Sequence, residues 1–258
     1  GEFPMSFYGI PPSQQDRFPV LISELQAIFS SLGYFMADML MAFGRNQGFT
    51  RDEKLVAAVQ RHASGAETGW LWRLHTLTWA ARNALKLPGD FVECGVFRGF
   101  MSAVVTEVID FATCDKTFYL YDSFEGLPEK YSTQSERAHT NPVYAEAAEH
   151  GAYSYEAVTK RFHGFPNVKV LRGVVPDVLR GTAPERIAYL HIDMNAANAE
   201  IGALDMLFDR VTPGGYVIFD DFGHVIHSAQ YEAETAWMSA RGYAILELPT
   251  GQGLVIKR

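Results

Sequence analysis

Short apolar runs alternate with helix-like periodicity from about residue 88 to the end of the chain. The runs predict strands at 89–94, 117–121, 168–172, 187–192, 215–220, 243–248 and 253–257. Apolar residues at helical spacing predict helices at 99–111, 154–163, 198–210 and 228–241. Strands that alternate with helices of this length indicate βαβ units and a mostly parallel α/β sheet.

The end of the chain departs from this alternation. The last two predicted strands are joined by Pro249–Gly253, which is too short to hold a crossover helix. A connection this brief joins antiparallel neighbours, so we expect the parallel sheet to finish in an antiparallel hairpin. Such a finish is not typical of a dinucleotide-binding dehydrogenase.

The pattern before residue 87 predicts a helical N-terminal cap over 5–86, with no strand. Leu21, Leu25 and Ile28 begin an apolar stripe at helical spacing, which Leu32, Phe35 and Met36 continue, and these helices are the candidate contact for a homodimer. Polar residues interrupt the stripe, so no run approaches the ~20 apolar residues of a membrane span. The residues before Met5 are typical of a remnant of an expression vector, and residues 1–4 are expected to take no part in the fold.

A long polar segment follows the second predicted strand of the sheet, between Asp122 and Tyr153. Connections of this length inside a compact domain are usually functional, and we predict a lid over 127–153 within a domain of residues 87–258. The alternative is a partly disordered insertion.

Composition narrows the classes of function. The 258 residues carry a net charge of −8 without a basic cluster, which argues against a nucleic acid partner and leaves a small-molecule substrate. Two cysteines, Cys94 and Cys114, form no disulfide framework, and no secretory signal is evident. A cytoplasmic location is the expectation.

The segment from Asp90 to Gly99 predicts a ligand crevice. An apolar strand ends near Glu93 and turns through Gly95 and Gly99 into a helix, which is how an open α/β sheet builds a cofactor site. Gly95 can adopt backbone angles closed to other residues and lets a ligand approach the main chain.

Four acidic residues, Glu93, Asp122, Asp193 and Asp220, each stand at the end of a predicted strand. In a parallel sheet these ends open on one crevice, where the carboxylates repel one another unless cations or protons neutralise them. Asp122 follows Glu93 by about 29 positions, whereas a dinucleotide fingerprint places its ribose-binding acid at about 20. The spacing therefore fits S-adenosylmethionine better than NAD. Phe124 is a candidate to lie against the adenine, and the alternative for this aromatic residue just past a strand is ordinary packing.

A second constellation combines Asp193 with the tandem Asp220 and Asp221. Carboxylate oxygens suit a hard cation such as Mg²⁺ or Ca²⁺, so these three predict a metal site. The alternative for Asp221 is a helix cap near His224. His191, His224 and His227 match no closed zinc pattern, and His191 inside its apolar strand is expected to be a hydrogen-bonded core histidine.

The chain resembles the macrocin O-methyltransferase (TylF/MycF-type) family in four segments that occur in the family's order: Gly89–Gly99, Tyr121–Pro128, Ala183–Asp193 and Pro213–Asp221. The resemblance covers about residues 88–258. It implies a Rossmann-like class I methyltransferase with a seven-stranded, mostly parallel sheet. It further implies S-adenosylmethionine and Mg²⁺ as cofactors and a hydroxyl of a sugar or natural product as the acceptor.

The same resemblance implies roles for individual residues. Asp193, Asp220 and Asp221 would hold the metal, and the cofactor would be bound by Glu93, Gly95, Gly99, Asp122, Ser123 and Phe124. Asn195 stands where the family has an aspartate that serves as general base, and an amide accepts no proton at neutral pH. Asp193 and Asn195 remain the expected catalytic pair, with His224, His227 or His139 of the lid as candidate proton acceptors.

The leading hypothesis is a metal-assisted, S-adenosylmethionine-dependent O-methyltransferase of a small polar metabolite. One rival keeps the cofactor and moves the methyl group to carbon or nitrogen, because Asn195 replaces the expected base. A second rival is a catalytically silent scaffold that binds S-adenosylmethionine. A nicotinamide dehydrogenase is the third.

Overall fold

The computed structural model describes residues 12–14, 16–29, 34–37 and 40–258, and the chain divides into two compact units between Thr76 and Leu77. The predicted vector remnant, Gly1–Pro4, lies outside the described residues. Among the residues described, no helix is long and apolar enough to cross a membrane.

The first unit contains helix α1 (Arg17–Phe29), strands β1 (Tyr34–Ala37) and β2 (Leu40–Phe43) and helix α2 (Glu53–His62). Helix α3 (Leu71–Ala84) crosses the division. The Asp52 side chain caps α2 by accepting a hydrogen bond from the Leu55 amide at 3.1 Å. Acidic side chains are favourable at helix N-termini, so Asp52 and Glu53 both stabilise the start of α2.

The prediction of an N-terminal cap without strands is wrong between residues 34 and 43. β1 and β2 pair antiparallel, with Tyr34 opposite Phe43. Aromatic residues favour strands, and a short apolar run fits either period, so helical spacing alone misled the prediction here. Leu32 of the predicted stripe lies outside the described residues. The homodimer stays a prediction, and α1 exposes apolar side chains that such a contact would bury, Val20 (57% exposed) and Ile28 (69% exposed) among them.

The second unit is built on a seven-stranded sheet in the order β5-β4-β3-β6-β7-β9-β8. Its strands are β3 (Asp90–Cys94), β4 (Phe118–Asp122), β5 (Val168–Arg172), β6 (Ile187–Ile192), β7 (Val211–Phe219), β8 (Leu246–Glu247) and β9 (Gly253–Ile256). The first five are parallel, and β9 pairs antiparallel with both β7 and β8. The predicted parallel sheet with an antiparallel C-terminal hairpin is confirmed.

Strand β8 is shorter than predicted. Only Leu246 and Glu247 pair with β9, although the apolar run extends over 243–248. Both residues are exposed at the edge of the sheet, and Tyr243 and Ile245 turn towards the hydrophobic core instead. Short edge strands are common because a long exposed edge invites unwanted pairing.

The helices of the second unit are α4 (Phe100–Val108), α5 (Gln134–Glu149), α6 (Tyr155–Arg161), α7 (Ala197–Leu207) and α8 (Ser228–Ser239). Helix α5 occupies most of the predicted lid, so the alternative of a disordered insertion there is wrong. Its start is a capping box, in which Thr133 and Glu136 satisfy each other's main-chain amides. That signature was present in the sequence.

The core surrounds the central strands. Every residue of β6 is buried, as expected for a parallel strand covered on both faces. The rings of Phe91, Phe111, Phe118 and Tyr189 pack together in five contacts, mostly tilted or edge-to-face, with centroids 5.0–6.0 Å apart. The strand order reverses beside β3, since β4 lies on one side and β6 on the other. A ligand crevice is expected at that point, beyond the carboxyl ends of β3 and β6.

Candidate active site

The floor of the crevice is the turn after β3. Gly95 has φ +89°, and a Cβ on it would lie 1.8 Å from the Asp193 carbonyl oxygen. Only glycine at position 95 lets the ends of β3 and β6 approach this closely. The two ends are joined by a hydrogen bond from the Asp193 amide to the Cys94 carbonyl at 2.8 Å. Gly99 begins α4 at φ +72°, where a Cβ would lie 2.9 Å from the Phe162 ring. Gly99 thus serves the packing of α4.

Asp122, at the end of β4, organises this turn. Its Oδ2 accepts hydrogen bonds from the Val96 and Phe97 amides, both at 2.8 Å. Its Oδ1 accepts from the Phe124 amide at 2.7 Å and from the Tyr153 hydroxyl at 3.0 Å. Burial raises the pKa of the Asp122 carboxyl, and these hydrogen bonds offset part of the rise.

Two further predicted cofactor residues follow Asp122. The Ser123 hydroxyl donates to the Gly126 carbonyl at 2.9 Å, which closes a tight loop. Phe124 has φ +57° and packs its ring against Tyr153 and Tyr155, with centroids 5.9 and 5.8 Å away. Both residues therefore shape the loop beside the crevice.

A buried chain of charges runs beneath the crevice from β3 to β7. His191 Nδ1 lies 2.9 Å from Glu93 Oε1, and His191 Nε2 lies 3.3 Å from Asp220 Oδ1. Burial opposes the charge on His191, but hydrogen bonds to Asp220 and Glu93 raise its pKa to about 10. His191 is thus an imidazolium between two carboxylates, which confirms the predicted hydrogen-bonded core histidine.

The Glu93 and Asp220 carboxylates each have a further hydrogen-bond partner besides His191. The Ser102 hydroxyl, in the first turn of α4, donates to Glu93 Oε2. Gln252 Nε2, at the start of the C-terminal hairpin's last strand, donates to Asp220 Oδ1 at 2.9 Å. Glu93 is 2% exposed, so its carboxylate lies behind the crevice and not along its wall. Its predicted contact with the cofactor gains no support from this position.

Asp193 and Asp220 are brought together as predicted. With His191 they offer three ligand atoms that all lie within 4.8 Å of one another. Burial, followed by the charges of Asp220 and Asp221, raises the pKa of Asp193 well above its usual range. Asp221 is therefore close enough for its charge to affect Asp193, but the group within 4.8 Å contains His191 and not Asp221, so the metal role of Asp221 stays a prediction.

Two histidines flank Asp221 on the turn after β7. His224 Nε2 lies 3.7 Å from Asp221 Oδ1, and His227 Nε2 lies 3.9 Å from Asp221 Oδ2. Burial, together with His224 and His139, lowers the pKa of His227 despite the nearby Asp221. His139 comes from α5, and its ring centroid is 6.1 Å from that of His227. All three candidate histidines thus lie around this turn.

Helix α5 is fastened over the loop that carries Asp193 and Asn195. Glu136 Oε1 accepts from the Ala197 amide at the start of α7, at 2.9 Å. The Tyr144 hydroxyl is hydrogen-bonded to the side chain of Asn195, which has φ +56°. Burial, and then the charges of Asp122 and Asp193, raises the pKa of Tyr144 well above its usual value. Tyr144 therefore remains a neutral phenol beside the acidic site.

A cavity of about 40 Å³, partly open to solvent, lies between the Gly95 turn and α5. Its walls include Asp122, Ser123, Tyr144, Tyr153 and Met194. Tyr144 and Tyr153 were missed by sequence reasoning, because single aromatic residues in a polar segment carry no signal of what they face.

Behind the Asp193 loop lies a pair of buried glutamates that was also missed. Glu200 Oε1 accepts from the Met194 amide at 3.1 Å and from Gln230 Nε2 at 2.8 Å. Glu234 is hydrogen-bonded to Glu200 across α7 and α8. Burial, and for Glu234 also the charge of Glu200, raises the pKa of both carboxyls. Two carboxyls in contact share a proton more readily than they both ionise.

We expect Glu234→Gln to stabilise the protein more at high pH than at low pH. A carboxyl whose folded-state pKa is raised contributes stability below its unfolded pKa, and that contribution is lost as the pH rises through the folded pKa. Glutamine does not titrate, and its amide can donate to Glu200. The melting temperatures of the variant and of the unmodified protein at pH 5.5 and 8.5 test this. Each kcal/mol of added stability should raise the melting temperature by about 2–4 °C.

Glu232→Gln is the matched control, because Glu232 lies exposed on the same helix. Its melting temperature should follow the unmodified protein at both pH values. Parallel pH profiles for the Glu234→Gln variant and the unmodified protein would show that the buried pair does not titrate.

Comparison with known proteins adds to this geometry. The family model for macrocin O-methyltransferase (TylF) matches residues 68–242. The chain is 33% identical to the 8-demethyl-8-(2,3-dimethoxy-alpha-L-rhamnosyl)-tetracenomycin-C 4'-O-methyltransferase of Streptomyces olivaceus, over 59% of this chain and 60% of that protein. It is 28% identical to the mycinamicin III 3''-O-methyltransferase of Micromonospora griseorubida, over 58% and 62%. The chain thus spans less than two thirds of these relatives.

The structure of the O-methyltransferase NovP superimposes with a TM-score of 0.62 at 22% identity, over 76% of this chain and 82% of that one. At this identity the likeness concerns the fold alone. Together with the strand order, it shows a Rossmann-like class I methyltransferase fold.

Proposed function

The chain belongs to the macrocin O-methyltransferase (TylF) family, and we propose that it transfers the methyl group of S-adenosylmethionine to a hydroxyl of a small polar metabolite, a sugar or a glycosylated natural product. The observation that carries the proposal is the meeting of Asp193 and Asp220 at the strand ends beside the Gly95 turn, with Asp221 close enough for its charge to raise the pKa of Asp193. The names of the relatives, which are O-methyltransferases of a rhamnosyl-tetracenomycin and a mycinamicin, support the acceptor class. Family membership excludes the nicotinamide dehydrogenase.

The cofactor would bind at the cavity between the Gly95 turn and α5, against Asp122, Ser123 and Phe124, and would have to widen it beyond its volume of about 40 Å³. Its sulfonium carries a positive charge, which the carboxylates at the neighbouring strand ends favour. In this proposal Glu93 is a positioning residue that holds His191, and through it Asp220. Gly99 acts by letting α4 pack closely.

The donor set fits a divalent cation. Glu93 and Asp220 bind the His191 imidazolium, Asp193 lies beside it, and the charges of Asp220 and Asp221 raise the pKa of Asp193, so a cation at Asp193 and Asp220 would relieve repulsion among the carboxylates. The oxygens of Asp193, Asp220 and Asp221 are the ligands that Mg²⁺ prefers, and His191 is engaged by two carboxylates. When bound, such a cation makes an acceptor hydroxyl more acidic by stabilising the developing alkoxide.

We assign the proton acceptor to His227. Its ring lies edge-to-face with that of His139 of α5, and its Nε2 is 3.9 Å from Asp221 Oδ2. His224 packs against the C-terminal hairpin, since a Cβ on Gly251 would lie 2.8 Å from its Nε2. Asn195 cannot accept the proton and instead holds Tyr144 by a hydrogen bond. The remaining contribution of the protein is to align donor and acceptor and to exclude water.

The test is methyl transfer from deuterium-labelled S-adenosylmethionine to a panel of glycosides and their aglycones, followed by mass spectrometry of the products. We expect label on a sugar or phenol oxygen. His227→Gln should lower kcat by about 10²-fold, in the range of general-base catalysis, without changing the affinity for S-adenosylhomocysteine. His163→Gln, at an exposed site, is the matched control.

Label on a carbon or nitrogen atom of the product would show that the protein is a C- or N-methyltransferase and not an O-methyltransferase. Binding of S-adenosylhomocysteine with no labelled product from any hydroxyl would favour the silent scaffold. Full activity of His227→Gln would remove His227 from the reaction.

A further inference from the structure

The hydrogen bonds of Asp122 leave little capacity for a ligand. A carboxylate has about four lone-pair positions, and the described donors to Asp122 number four. Three of them are main-chain amides, of Val96, Phe97 and Phe124. A ribose diol that donated to this carboxylate would therefore have to replace one of them.

The fourth donor is the one that can leave. The amides belong to turns that the fold holds in place, because Val96 and Phe97 directly follow Gly95, whose close approach to Asp193 fixes the turn. The Tyr153 hydroxyl belongs to a side chain in the connection between α5 and α6. It lies 3.0 Å from Asp122 Oδ1 and also accepts from the Gly126 amide at 3.0 Å. Tyr153 lines the cavity that the cofactor would enter.

We propose that the Tyr153 hydroxyl takes the place of a ribose hydroxyl. It donates to the Asp122 oxygen that the ribose of the cofactor would otherwise use. Cofactor entry then displaces Tyr153 and loosens the C-terminal end of α5. The inference rests on the proposed function only in taking a nucleoside cofactor to bind at Asp122.

The packing of Tyr153 connects this exchange to the catalytic loop. Its ring stacks on Tyr144 with centroids 5.0 Å apart, and the Phe97 ring lies 5.5 Å from it. Tyr144 in turn is hydrogen-bonded to Asn195, two residues after Asp193. Displacement of Tyr153 therefore disturbs the contact between α5 and the loop at which the acceptor would be methylated.

Tyr153→Phe keeps the ring and removes the competing hydroxyl. Because the apparent affinity of a ligand falls with the fraction of protein that is competent to bind, we expect the variant to bind S-adenosylhomocysteine about 5–10-fold more tightly by titration calorimetry. Amide hydrogen exchange in residues 127–153 without ligand should also become faster. Tyr155→Phe is the matched control, since Tyr155 contacts Phe124 but donates to Asp122 in none of the described hydrogen bonds.

Three results would contradict the proposal about Tyr153 or the cofactor on which it rests. Unchanged or weaker binding by a folded Tyr153→Phe variant would overturn the inference, because the hydroxyl would then be neutral or helpful to the ligand. Slower or unchanged exchange in 127–153 would contradict the loosening of α5. If the unmodified protein also fails to bind S-adenosylhomocysteine, the proposed cofactor itself is wrong, which is a separate failure.

Discussion

Replacement of Asp193 by Asn lowers kcat/KM by about 10³-fold while it raises the melting temperature, if the acidic cluster has the role proposed above. The loss of activity follows because a charge placed in advance at the reacting centre is removed, which commonly costs about 10²–10³-fold or more. The gain in stability follows because burial and the charges of Asp220 and Asp221 raise the pKa of Asp193. An ionised carboxylate with a raised pKa costs folding free energy at neutral pH, and asparagine removes that cost.

Steady-state methyl transfer and thermal melting measure the two effects together. Asp209→Asn, at a side chain that is 99% exposed, is the control and should change neither. Treatment of the unmodified protein with EDTA should lower its activity towards that of the Asp193→Asn variant. Retained activity in the variant would place the chemistry elsewhere, and a lower melting temperature would show that the contacts of Asp193 outweigh its repulsion.

Replacement of His191 by Phe is expected to cost about 3–5 kcal/mol of stability, the usual effect of removing one member of a buried ion pair. The imidazolium joins Glu93 to Asp220, and all three side chains are nearly inaccessible to solvent. Phenylalanine fills a similar volume but leaves two buried carboxylates without their shared partner. The melting temperature should fall by on the order of 10 °C.

Urea denaturation gives the free energy of unfolding directly. His163→Phe, at an exposed position, is the control for the general effect of a histidine-to-phenylalanine change. The double variant Glu93→Gln/His191→Phe should recover part of the loss, because only one of the two carboxylates that lose the imidazolium then carries a charge. A loss below about 1 kcal/mol for His191→Phe would mean that the chain of charges contributes little to stability.

The architecture of the second unit was largely predictable from the sequence. Its strands are short apolar runs, and the connection Pro249–Gly253 was too brief for anything but an antiparallel return. The segment 34–43 was not predictable in the same way, because aromatic residues at close spacing satisfy both a helical and a strand pattern. The start of α5 could have been found from Thr133 and Glu136, which form a recognisable capping box.

The candidate site was predictable where it depends on strand ends. Asp122, Asp193 and Asp220 follow parallel strands, so topology alone brings them to one edge of the sheet. The direction of a side chain within a strand is harder to predict: the Glu93 carboxylate is buried against His191 and Ser102, and its contact with the cofactor stays a prediction. Contacts such as Tyr153 to Asp122 or Glu234 to Glu200 depend on how separate elements dock, and no local pattern encodes that.

The Glu136 side chain forms hydrogen bonds at the starts of two helices. Its Oε2 caps the start of α5, while its Oε1 accepts the first main-chain amide of α7. Loss of the Glu136 carboxylate would remove a main-chain partner from the start of α5 and from the start of α7 at the same time, so the two helices are coupled through a single side chain.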